Sequence, residues 1–394
     1  MSNVYIVGAK RTPIGSFQGV LNSIPAPRLG STAIRAALEQ SSLAPEIVDQ
    51  VYMGCVLQAN IGQAPARQAW IYAGYPVSTG AVTIHKVCGS GLKSVMLGAN
   101  DIRAGEFSVV VAGGMESMSM APYYLDRARD GYRMGHGQVL DGMIKDGLWD
   151  PYKDVHMGNC GELCAAEYGF TREEQDAFAR QSYERALEAW NQGWFASEVV
   201  PVEVPQRKGD PIIVDKDEEP FRVSLDKMAK LKPAFAREGT ITAANASKIN
   251  DGAAALVLAS EEVVTSKGLK PMARLVAQAS HAQEPDWFTT APAKAMQKVL
   301  DKAGLQAADV DLYEINEAFS VVTMVTMKEL GLDASKVNIH GGAVAMGHPI
   351  GCSGARILTT LLYALQKNGL RYGMAGICIG GGEAVAVLVE NLLR

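Results

Sequence analysis

The chain of 394 residues has no excess of basic side chains and no long apolar run. It carries 37 lysines and arginines against 42 aspartates and glutamates, for a formal net charge of -5. Because a nucleic-acid backbone is bound by a basic field, we expect no nucleic-acid partner. The most apolar stretches, Ala253 to Ala259 and Gly373 to Gly382, have the length of strands and are bounded by charged residues. We therefore expect no transmembrane segment and no membrane partner.

A secretory signal and a disulfide framework are also lacking. The first eleven residues show no basic region followed by an apolar helix and a small-residue cleavage site. The six cysteines are scattered, which is typical of a reducing compartment, and we predict a cytoplasmic protein. Cys160 and Cys164 would share one face of a helix, but no nearby pair completes a four-ligand zinc site. We predict no metal site.

What the chain does have is apolar content, glycine and an internal repeat. With 48% hydrophobic residues it is long enough for two to three domains and a large core, and its 40 glycines predict many tight turns. Short apolar runs that end in glycine, Val4 to Val7 and Ser108 to Ala112, are typical of buried strands that feed helices or turns. The chain thus alternates strand and helix at both ends, which indicates an α/β fold.

Two short matches recur at nearly the same separation. The segment Leu43-Ala-Pro-Glu-Ile-Val-Asp is similar to Leu305-Gln-Ala-Ala-Asp-Val-Asp, and Ser90-Gly-Leu-Lys is similar to Ser353-Gly-Ala-Arg. Either match alone would be weak, but their common offset favours a duplicated α/β half over chance similarity.

Residues from about 120 to 247 interrupt this alternation. They include a predicted helix that starts at Thr171 with Glu174 in a capping-box position, and a charged run that begins at Asp215. A solvated linker is one interpretation. The aromatic residues Trp190, Trp194 and Phe195 favour a folded lid or a substrate-holding subdomain.

Cys88 is the candidate nucleophile. It lies between a strand-like segment, Val82 to Val87, and a helix-like segment, Ser90 to Ala104, so its sulfur is expected near backbone N–H groups. A helix terminus stabilises an anion by about 0.3–1 kcal/mol, which corresponds to less than one pKa unit. Since that would leave mostly thiol at neutral pH, the cysteine needs a base; without one, a buried structural cysteine is the better interpretation.

His348 and Cys378 supply the remaining chemistry. His348 lies between glycine and proline, where a turn can direct an imidazole into a cleft. Cys378 precedes three consecutive glycines, whose N–H groups can approach a ligand closely. A phosphate loop is the competing interpretation of that glycine run, but the Gly-Lys-Ser/Thr ending is lacking. A nucleophile, a base and a second thiol acid/base together indicate carbon–carbon bond chemistry on thioesters.

Six motifs occur in order along the chain: Val87-Cys88-Gly-Ser-Gly, Val111-Ala-Gly-Gly-Met-Glu-Ser-Met, Ala244-Asn-Ala-Ser-Lys-Ile-Asn-Asp-Gly-Ala, Asn316-Glu-Ala-Phe, Asn338-Ile-His-Gly-Gly-Ala-Val-Ala-Met-Gly-His348-Pro-Ile-Gly and Cys378-Ile-Gly-Gly-Gly. With them, the chain resembles the thiolases across essentially its full length, and most of all their acetyl-CoA acetyltransferase branch. One departure is His85, since the family usually has Asn, Ser or Thr three residues before the nucleophile.

The resemblance implies a reversible condensation of two acetyl-CoA molecules to acetoacetyl-CoA and CoA through an acetyl group on Cys88. It implies that His348 takes the thiol proton and that Cys378 removes the α-proton of the second acetyl-CoA. The N–H groups of Cys88 and Gly380 would form one oxyanion hole, and Asn316, through a water, would form the other with His348. From local sequence alone, Asn316 is more simply a turn or capping residue.

Coenzyme A thioesters would then be substrates, with no prosthetic group bound. The resemblance places six residues around CoA and two phenylalanines as walls of the acyl pocket, although an exposed charge at Arg222 or a core leucine at Leu231 is the simpler local interpretation. These residues are His156, Met157, Arg222, Leu231, Ala243, Ser247, Phe288 and Phe319.

The predicted fold is α/β, with thiolase-like duplicated βα halves in a layered αβαβα arrangement. Residues 1–119 and 248–271 would form the amino-terminal half, residues 272–394 the carboxyl-terminal half, and residues 120–247 an inserted CoA-binding subdomain that covers the active site. The resemblance also implies a homodimer or homotetramer.

Four other functions remain to be weighed. A decarboxylating condensing enzyme would use one cysteine with two histidines, and a hydroxymethylglutaryl-CoA synthase would use a glutamate as acid/base; Cys378 and Asn316 count against both. A non-catalytic CoA-ester carrier is disfavoured by the full catalytic set. A degradative 3-ketoacyl-CoA thiolase of broader chain length stays open, because pocket shape rather than these motifs sets chain length.

Overall fold

The structure, a computed structural model, describes residues 3–393, so residues 1, 2 and 394 of the two predicted halves lie outside it. The amino-terminal part of the chain forms β1 (Val4–Arg11), β2 (Gly15–Ser16), α1 (Ala26–Ser41), β3 (Gln50–Gly54), α2 (Pro65–Tyr72), β4 (Gly80–Ile84), α3 (Ser90–Ala104) and β5 (Val109–Ser117). The middle forms β6 (Tyr123–Tyr124), β7 (Leu140–Asp141), β8 (Trp149–Asp150), β9 (Val155–His156), α4 (Met157–Tyr168), α5 (Arg172–Asn191), β10 (Val202–Val204) and β11 (Ile212–Val214). The rest forms β12 (Asn250–Ser260), α6 (Glu261–Ser266), β13 (Ala273–Ala282), α7 (Ala291–Ala303), β14 (Leu312–Ile315), α8 (Ser320–Leu330), α9 (Ala343–Met346), α10 (Ser353–Lys367), β15 (Tyr372–Ile379) and β16 (Glu383–Asn391).

The strands repeat one pairing pattern twice. In the order β1-β12-β5-β3-β4, the first two contacts are antiparallel and the next two are parallel. In the order β13-β16-β15-β14, the first two contacts are again antiparallel and the third is parallel. Val337 forms a parallel bridge with Tyr313 of β14, at the position that corresponds to β4 in the first set. Only Tyr5 and Ile6 of β1 pair with β13, so the two sets meet at one short contact.

The helices complete five layers. α3 and α10 pack together between the two sets of strands, and their apolar side chains share one buried cluster with β1, β12, β13 and β16. α1 and α2 cover the outer face of the first set. α7 packs on the outer face of the second, with α8 against it. The αβαβα arrangement predicted from the sequence is therefore confirmed.

The repeated sequence segments occupy matching places in the two halves. Pro45–Ile47 and Ala307–Asp309 each form a single 3₁₀ turn just before β3 and β14, which are the corresponding parallel strands. Ser90 and Ser353 each begin a helix of the central layer. The predicted strand at Val4 to Val7 runs on to Arg11, because Lys10 and Arg11 continue the backbone pairing with β12 and the Arg11 side chain has buried partners.

The middle of the chain is folded onto the rest. Thr171 and Glu174 form the capping box that starts α5, as the sequence predicts, and Phe195 is fully buried. Arg11, at the end of β1, is fully buried and forms ion pairs with Glu198 at 2.5 Å and Asp217 at 2.7 Å. Because a buried cation needs its counter-ions, these pairs fasten residues 198–217 to the first sheet. The predicted segment boundaries at 120, 248 and 272 stay a prediction.

No helix within residues 3–393 has the length and apolar character needed to cross a membrane.

Candidate active site

The turn that carries Cys88 is strained and held from both sides. Val87, directly before it, has a φ of 44°, a left-handed conformation that is costly for a β-branched residue. Its N–H donates to Nδ1 of His85 at 3.3 Å, and its carbonyl accepts the hydroxyl proton of Ser90 at 2.6 Å. The Ser90 hydroxyl also accepts the N–H of Lys86 at 2.8 Å. These contacts hold the nucleophile at the start of α3.

The starts of α3 and α10 lie in contact because both carry glycine as their second residue. A Cβ on Gly91 would lie 2.8 Å from the backbone nitrogen of Ala355, and a Cβ on Gly354 would lie 2.5 Å from the backbone nitrogen of Leu92. Neither distance is possible for a side chain, so glycine allows this approach. The contact brings Cys88, before α3, towards the loop of His348, before α10.

Cys88 is a protonated thiol in the resting site. Burial raises its pKa to about 11, while hydrogen bonds from the N–H groups of Gly380 and Cys88 itself act in the opposite direction. Two N–H donors that converge in this way are able to bind an oxyanion. The helix terminus alone does not produce a thiolate, as the sequence argument anticipates.

His348 is buried and neutral. Burial, and then the charge of Arg356, lower its pKa to about 3. Its backbone N–H donates to Oδ1 of Asn250 at 2.9 Å, and its Nδ1 lies 2.6 Å from Oγ of Ser353. Nε2 has no partner among the described residues. A polar atom left unpaired in so dry a site is available to bind a substrate or to accept a proton.

Cys378 and Asn316 come from adjacent parallel strands. Asn316 follows β14, and its N–H donates to the carbonyl of Gly376 on β15 at 3.0 Å, two residues before Cys378. Both side chains are buried, and both polar atoms of the Asn316 amide lack a partner within the described part of the chain. Burial raises the pKa of Cys378 well above its usual value. A Cβ on Gly89 would overlap the side chain of Ile379, so the residues that directly follow the two cysteines are in contact.

The family model described as "Thiolase, N-terminal domain" matches residues 4–262, and the model described as "Thiolase, C-terminal domain" matches residues 269–391. The chain belongs to the thiolase family. The resemblance on which the sequence argument relied is thereby confirmed.

Relatives and solved structures agree with the family. The chain is 54% identical over 390 residues to Acetyl-CoA acetyltransferase 1 of Arabidopsis thaliana, covering 98% of this chain and 94% of the relative. It is 50% identical over 392 residues to Acetyl-CoA acetyltransferase of Pseudomonas aeruginosa, covering 99% and 100%. The crystal structure of the Bacillus anthracis acetyl-CoA acetyltransferase superimposes with a TM-score of 0.97 at 41% identity, covering 100% and 99%. Acat5 thiolase from Ascaris suum, in complex with coenzyme A, gives a TM-score of 0.94 at 46% identity, covering 99% and 100%.

A cavity of about 530 Å³ opens beside the nucleophile of this thiolase. Its lining includes His85 and Val87 from the nucleophile turn, Met157 from the start of α4, and Gly380 and Gly381. Cys88, His348, Cys378 and Asn316 are not among its lining residues. Cys88 directly follows Val87, so the cavity opens next to the nucleophile turn.

An aromatic row leads inward from the start of α4. The His156 ring stacks on Phe235 at 4.7 Å between centroids, Phe235 meets the edge of Phe319 at 5.9 Å, and Phe319 lies 6.4 Å from Phe288. Met157, Phe288, Phe319 and Cys378 share one buried cluster. The structure thus places four predicted binding residues together, in the same region as the thiol of Cys378.

The other predicted CoA residues are farther apart. The N–H of Ser247 donates to the carbonyl of Ala318 at 3.0 Å, next to Phe319. Ala243 and Leu231 are exposed, and exposed Arg222 pairs with Glu218 at 2.8 Å. None of these three lines the cavity at Cys88. Their roles stay predictions.

Several residues that build the site are not predicted from the sequence. The carboxylate of Glu116 accepts N–H groups from Val56, Leu57 and Gly351 at 2.9–3.1 Å, and so joins the two halves beside the His348 loop. In the sequence, Glu116 could have been recognised as a carboxylate within an otherwise apolar strand motif. Nothing in the sequence marks Phe235 in this way. Within residues 3–393, no group of three metal-binding side chains is present.

Proposed function

We propose that this thiolase condenses two acetyl-CoA molecules to acetoacetyl-CoA and CoA, reversibly, through an acetyl group on Cys88. The observation that carries the proposal is the contact between the turn of Cys88 and the segment from Cys378 to Gly380, since a Cβ on Gly89 would overlap the Ile379 side chain and a Cβ on Gly380 would lie 3.7 Å from Cγ1 of Val87. Relatives about 50% identical over nearly the whole chain are named acetyl-CoA acetyltransferases, which supports the choice of acetyl-CoA.

The first half-reaction acylates the enzyme. The sulfur of Cys88 attacks the thioester carbonyl while its proton passes to Nε2 of His348. The N–H groups of Cys88 and Gly380 bind the oxyanion that forms. The carbon–sulfur bond to CoA then breaks, and the thiol of Cys378 protonates the departing CoA thiolate. The acetyl group stays on Cys88.

The second half-reaction forms the carbon–carbon bond. The thiolate of Cys378 removes an α-proton from a second acetyl-CoA, and the enolate attacks the acetyl group on Cys88. The enolate oxygen is held by the protonated Nε2 of His348 and, through a water, by Asn316. Collapse of the tetrahedral adduct releases the sulfur of Cys88, which takes its proton back from His348. Both cysteines return to thiols.

We propose that CoA lies along the inserted segment, with His156, Met157, Arg222, Leu231, Ala243 and Ser247 around it. The solved Ascaris suum relative in complex with coenzyme A supports CoA as a ligand of this fold. Phe288 and Phe319 would close the acyl pocket, because both are buried beside Cys378. CoA acts as substrate, and we expect no prosthetic group.

Mass spectrometry and proton exchange test the two thiols separately. After brief incubation with acetoacetyl-CoA, we expect an acetyl adduct on the peptide that contains Cys88. The Cys378→Ala variant should still form some adduct, but should lose exchange of acetyl-CoA α-protons with deuterated water. An adduct only on another cysteine, or normal exchange in the variant, would contradict the proposal.

A degradative 3-ketoacyl-CoA thiolase of broader chain length is the second candidate. The bulk of Phe288 and Phe319 at the inner end of the site favours short acyl groups. Rates of thiolysis over a series of 3-ketoacyl-CoA chain lengths distinguish the two functions. Preference for long chains would favour the second.

We further propose a homodimer or homotetramer in the cytoplasm. β4 lies at a sheet edge with Val82 42% exposed, and Tyr123 and Met134 expose apolar surface in the inserted segment. All six cysteines are free, as in a reducing compartment. Sedimentation of the purified chain and microscopy of a tagged one test these two statements; a monomer or an organellar signal would contradict them.

A further inference from the structure

We propose that Ser353 is a positioning residue for His348: its hydroxyl oxygen accepts the proton on Nδ1 and thereby presents Nε2 as the base for Cys88. The inference extends the proposed function, on which it rests, to a residue outside the four catalytic side chains.

The contacts around Ser353 are few and short. Its Oγ lies 2.6 Å from Nδ1 of His348 and 2.9 Å from the carbonyl oxygen of Pro349. Ser353 is fully buried, at the first position of α10, and His348 is 5% exposed. Because these groups are buried from solvent, the Ser353 hydroxyl, Nδ1 of His348 and the carbonyl of Pro349 must satisfy one another's hydrogen bonds.

A serine hydroxyl carries one proton, which limits the arrangements. If the hydroxyl donates to Pro349, its lone pair accepts the N–H at Nδ1, and Nε2 keeps a free lone pair. If it donates to Nδ1, Nε2 carries the hydrogen and cannot take a proton from Cys88. Only the first arrangement fits a base, and the carbonyl of Pro349 is placed to support it.

The same arrangement serves the later step without rearrangement. When Nε2 takes the Cys88 proton, the ring becomes a donor at both nitrogens. Oγ of Ser353 still accepts from Nδ1, while Nε2–H faces the enolate oxygen. The positive charge is opposed by burial and by Arg356 on the same helix, so a fixed acceptor at Nδ1 is needed to hold the protonated ring.

Other groups near the imidazole do not replace this acceptor. Asn250 bonds the backbone N–H of His348 rather than the ring. Glu116 bonds the N–H of Gly351, beyond Pro349. Glu314 lies 3.7 Å from the Arg356 guanidinium and is charged only above a pKa that burial raises to about 8. Among the described residues, Ser353 alone is in hydrogen-bond contact with the ring.

A matched pair of variants on α10 isolates the contact. Ser353→Ala removes a buried hydroxyl that donates to the carbonyl four residues earlier and also meets His348. Thr359→Val removes another fully buried hydroxyl, which donates to the carbonyl of Ala355 at 2.9 Å and does not meet His348. Each variant loses a hydrogen bond from a buried hydroxyl to the carbonyl four residues earlier, and Ser353→Ala also loses the contact with the His348 ring.

The first measurement is the rate of alkylation of Cys88 by iodoacetamide near neutral pH, followed on the Cys88 peptide by mass spectrometry. It requires no turnover, so it is independent of whether the chain condenses acetyl-CoA. In Ser353→Ala we expect the rate to fall by about tenfold, because the imidazole that accepts the thiol proton loses its hydrogen-bond acceptor. In Thr359→Val the rate should stay within experimental error of the parent.

The second measurement is steady-state thiolysis. Ser353→Ala should lower kcat by about 10- to 100-fold, in the range typical when the partner that orients a functional histidine is removed, with little change in KM. Ser353→Thr, which keeps the hydroxyl, should recover a large part of the loss. An unchanged alkylation rate in Ser353→Ala, equal losses in Ser353→Ala and Thr359→Val, or no recovery in Ser353→Thr would each overturn the proposal.

Discussion

At the scale of single residues, the site is built from side chains whose polar atoms face inward without protein partners. Nε2 of His348 and both amide atoms of Asn316 are buried and unpaired in the described part of the chain. Leaving such groups without partners costs about 1–3 kcal/mol each. They are therefore best explained as groups that bind substrate or ordered water during the reaction.

His85 departs from the usual family residue, but its contact is of the same kind. Its Nδ1 accepts the N–H of Val87 two residues later, as Asn, Ser or Thr does in a side-chain turn. Burial lowers the pKa of His85, so the ring stays an acceptor near neutral pH. His85→Asn should keep most activity, whereas His85→Ala should lower kcat by about 3- to 10-fold through loss of one hydrogen bond. Thiolysis rates check this. Equal losses in both variants would show that the ring acts on substrate in the cavity instead.

Asn316 should matter for one half-reaction more than for the other. Loss of one oxyanion-hole donor typically costs about 10²–10³ in rate, so Asn316→Ala should slow condensation by that factor. Acylation of Cys88 uses the N–H groups of Cys88 and Gly380 and should be affected less. Two rates measured on the same sample separate the half-reactions: the rate at which the acetyl adduct forms on Cys88 and the rate of acetoacetyl-CoA synthesis. Similar losses in both would indicate a structural role.

At the scale of elements, the reaction depends on two helices that start side by side. Gly91 and Gly354 occupy equivalent positions in the duplicated halves, and each approaches the backbone of the other helix. In both copies of the repeated Ser-Gly pair, the close packing of α3 and α10 therefore explains why the second residue is glycine. In each copy the serine hydroxyl also supports the turn before the helix, at Val87 in one and at Pro349 in the other.

Gly91→Ala tests this packing. Its Cβ would fall 2.8 Å from the Ala355 nitrogen, so the helices must separate, and we expect a loss of about 1–3 kcal/mol or more in the free energy of unfolding. Gly252→Ala is the control, since its Cβ would find nothing closer than 3.4 Å. Urea unfolding at fixed protein concentration measures both. Equal stabilities for the two variants would contradict the close approach of the helices.

At the scale of the whole molecule, buried titratable groups couple the fold to pH. His340 packs against Trp194 at 5.0 Å and Phe195 at 5.9 Å, and so joins the inserted segment to the carboxyl-terminal half. Burial, and then the charge of Lys367, lower its pKa to about 4. The folded protein therefore favours the neutral ring, whereas the unfolded chain protonates it near pH 6.5.

The free energy of unfolding is expected to fall as the pH falls. Above about pH 6.5 His340 is neutral in both the folded and the unfolded state and does not affect stability. Between about pH 6.5 and about pH 4 the unfolded chain binds a proton that the folded protein does not bind, which lowers the free energy of unfolding by about 1.4 kcal/mol per pH unit. A His340→Leu variant should lack this loss. Urea midpoints at pH 7.5, 6 and 5 should show the variant gaining on the parent as pH falls. A constant difference across that range would contradict the depressed pKa.

Much of the fold was predictable from the sequence because it rests on local and periodic signals. The helix over Ser90 to Ala104, the capping box at Thr171 and the common offset of the repeated segments all have direct counterparts in the structure. The strand at Val4 was predicted too short, since the apolar run ends at Gly8, whereas the pairing with β12 continues to Arg11, whose buried ion pairs lie with residues far along the chain. The spatial roles of Phe235 and Glu116 could not be predicted, because their contacts join distant parts of the chain.

The sequence by itself determined the chemical parts: two thiols, an imidazole, an amide and the glycines around them, each in a motif that a short stretch of chain carries. Only the tertiary structure decided what state those parts are in. Burial keeps Cys88 a thiol and His348 a neutral ring, and the contact between the starts of α3 and α10 brings the loops of the two halves together. The burial of these side chains and the contact between the two loops are properties of the folded molecule, because each depends on atoms that are hundreds of residues apart in the chain.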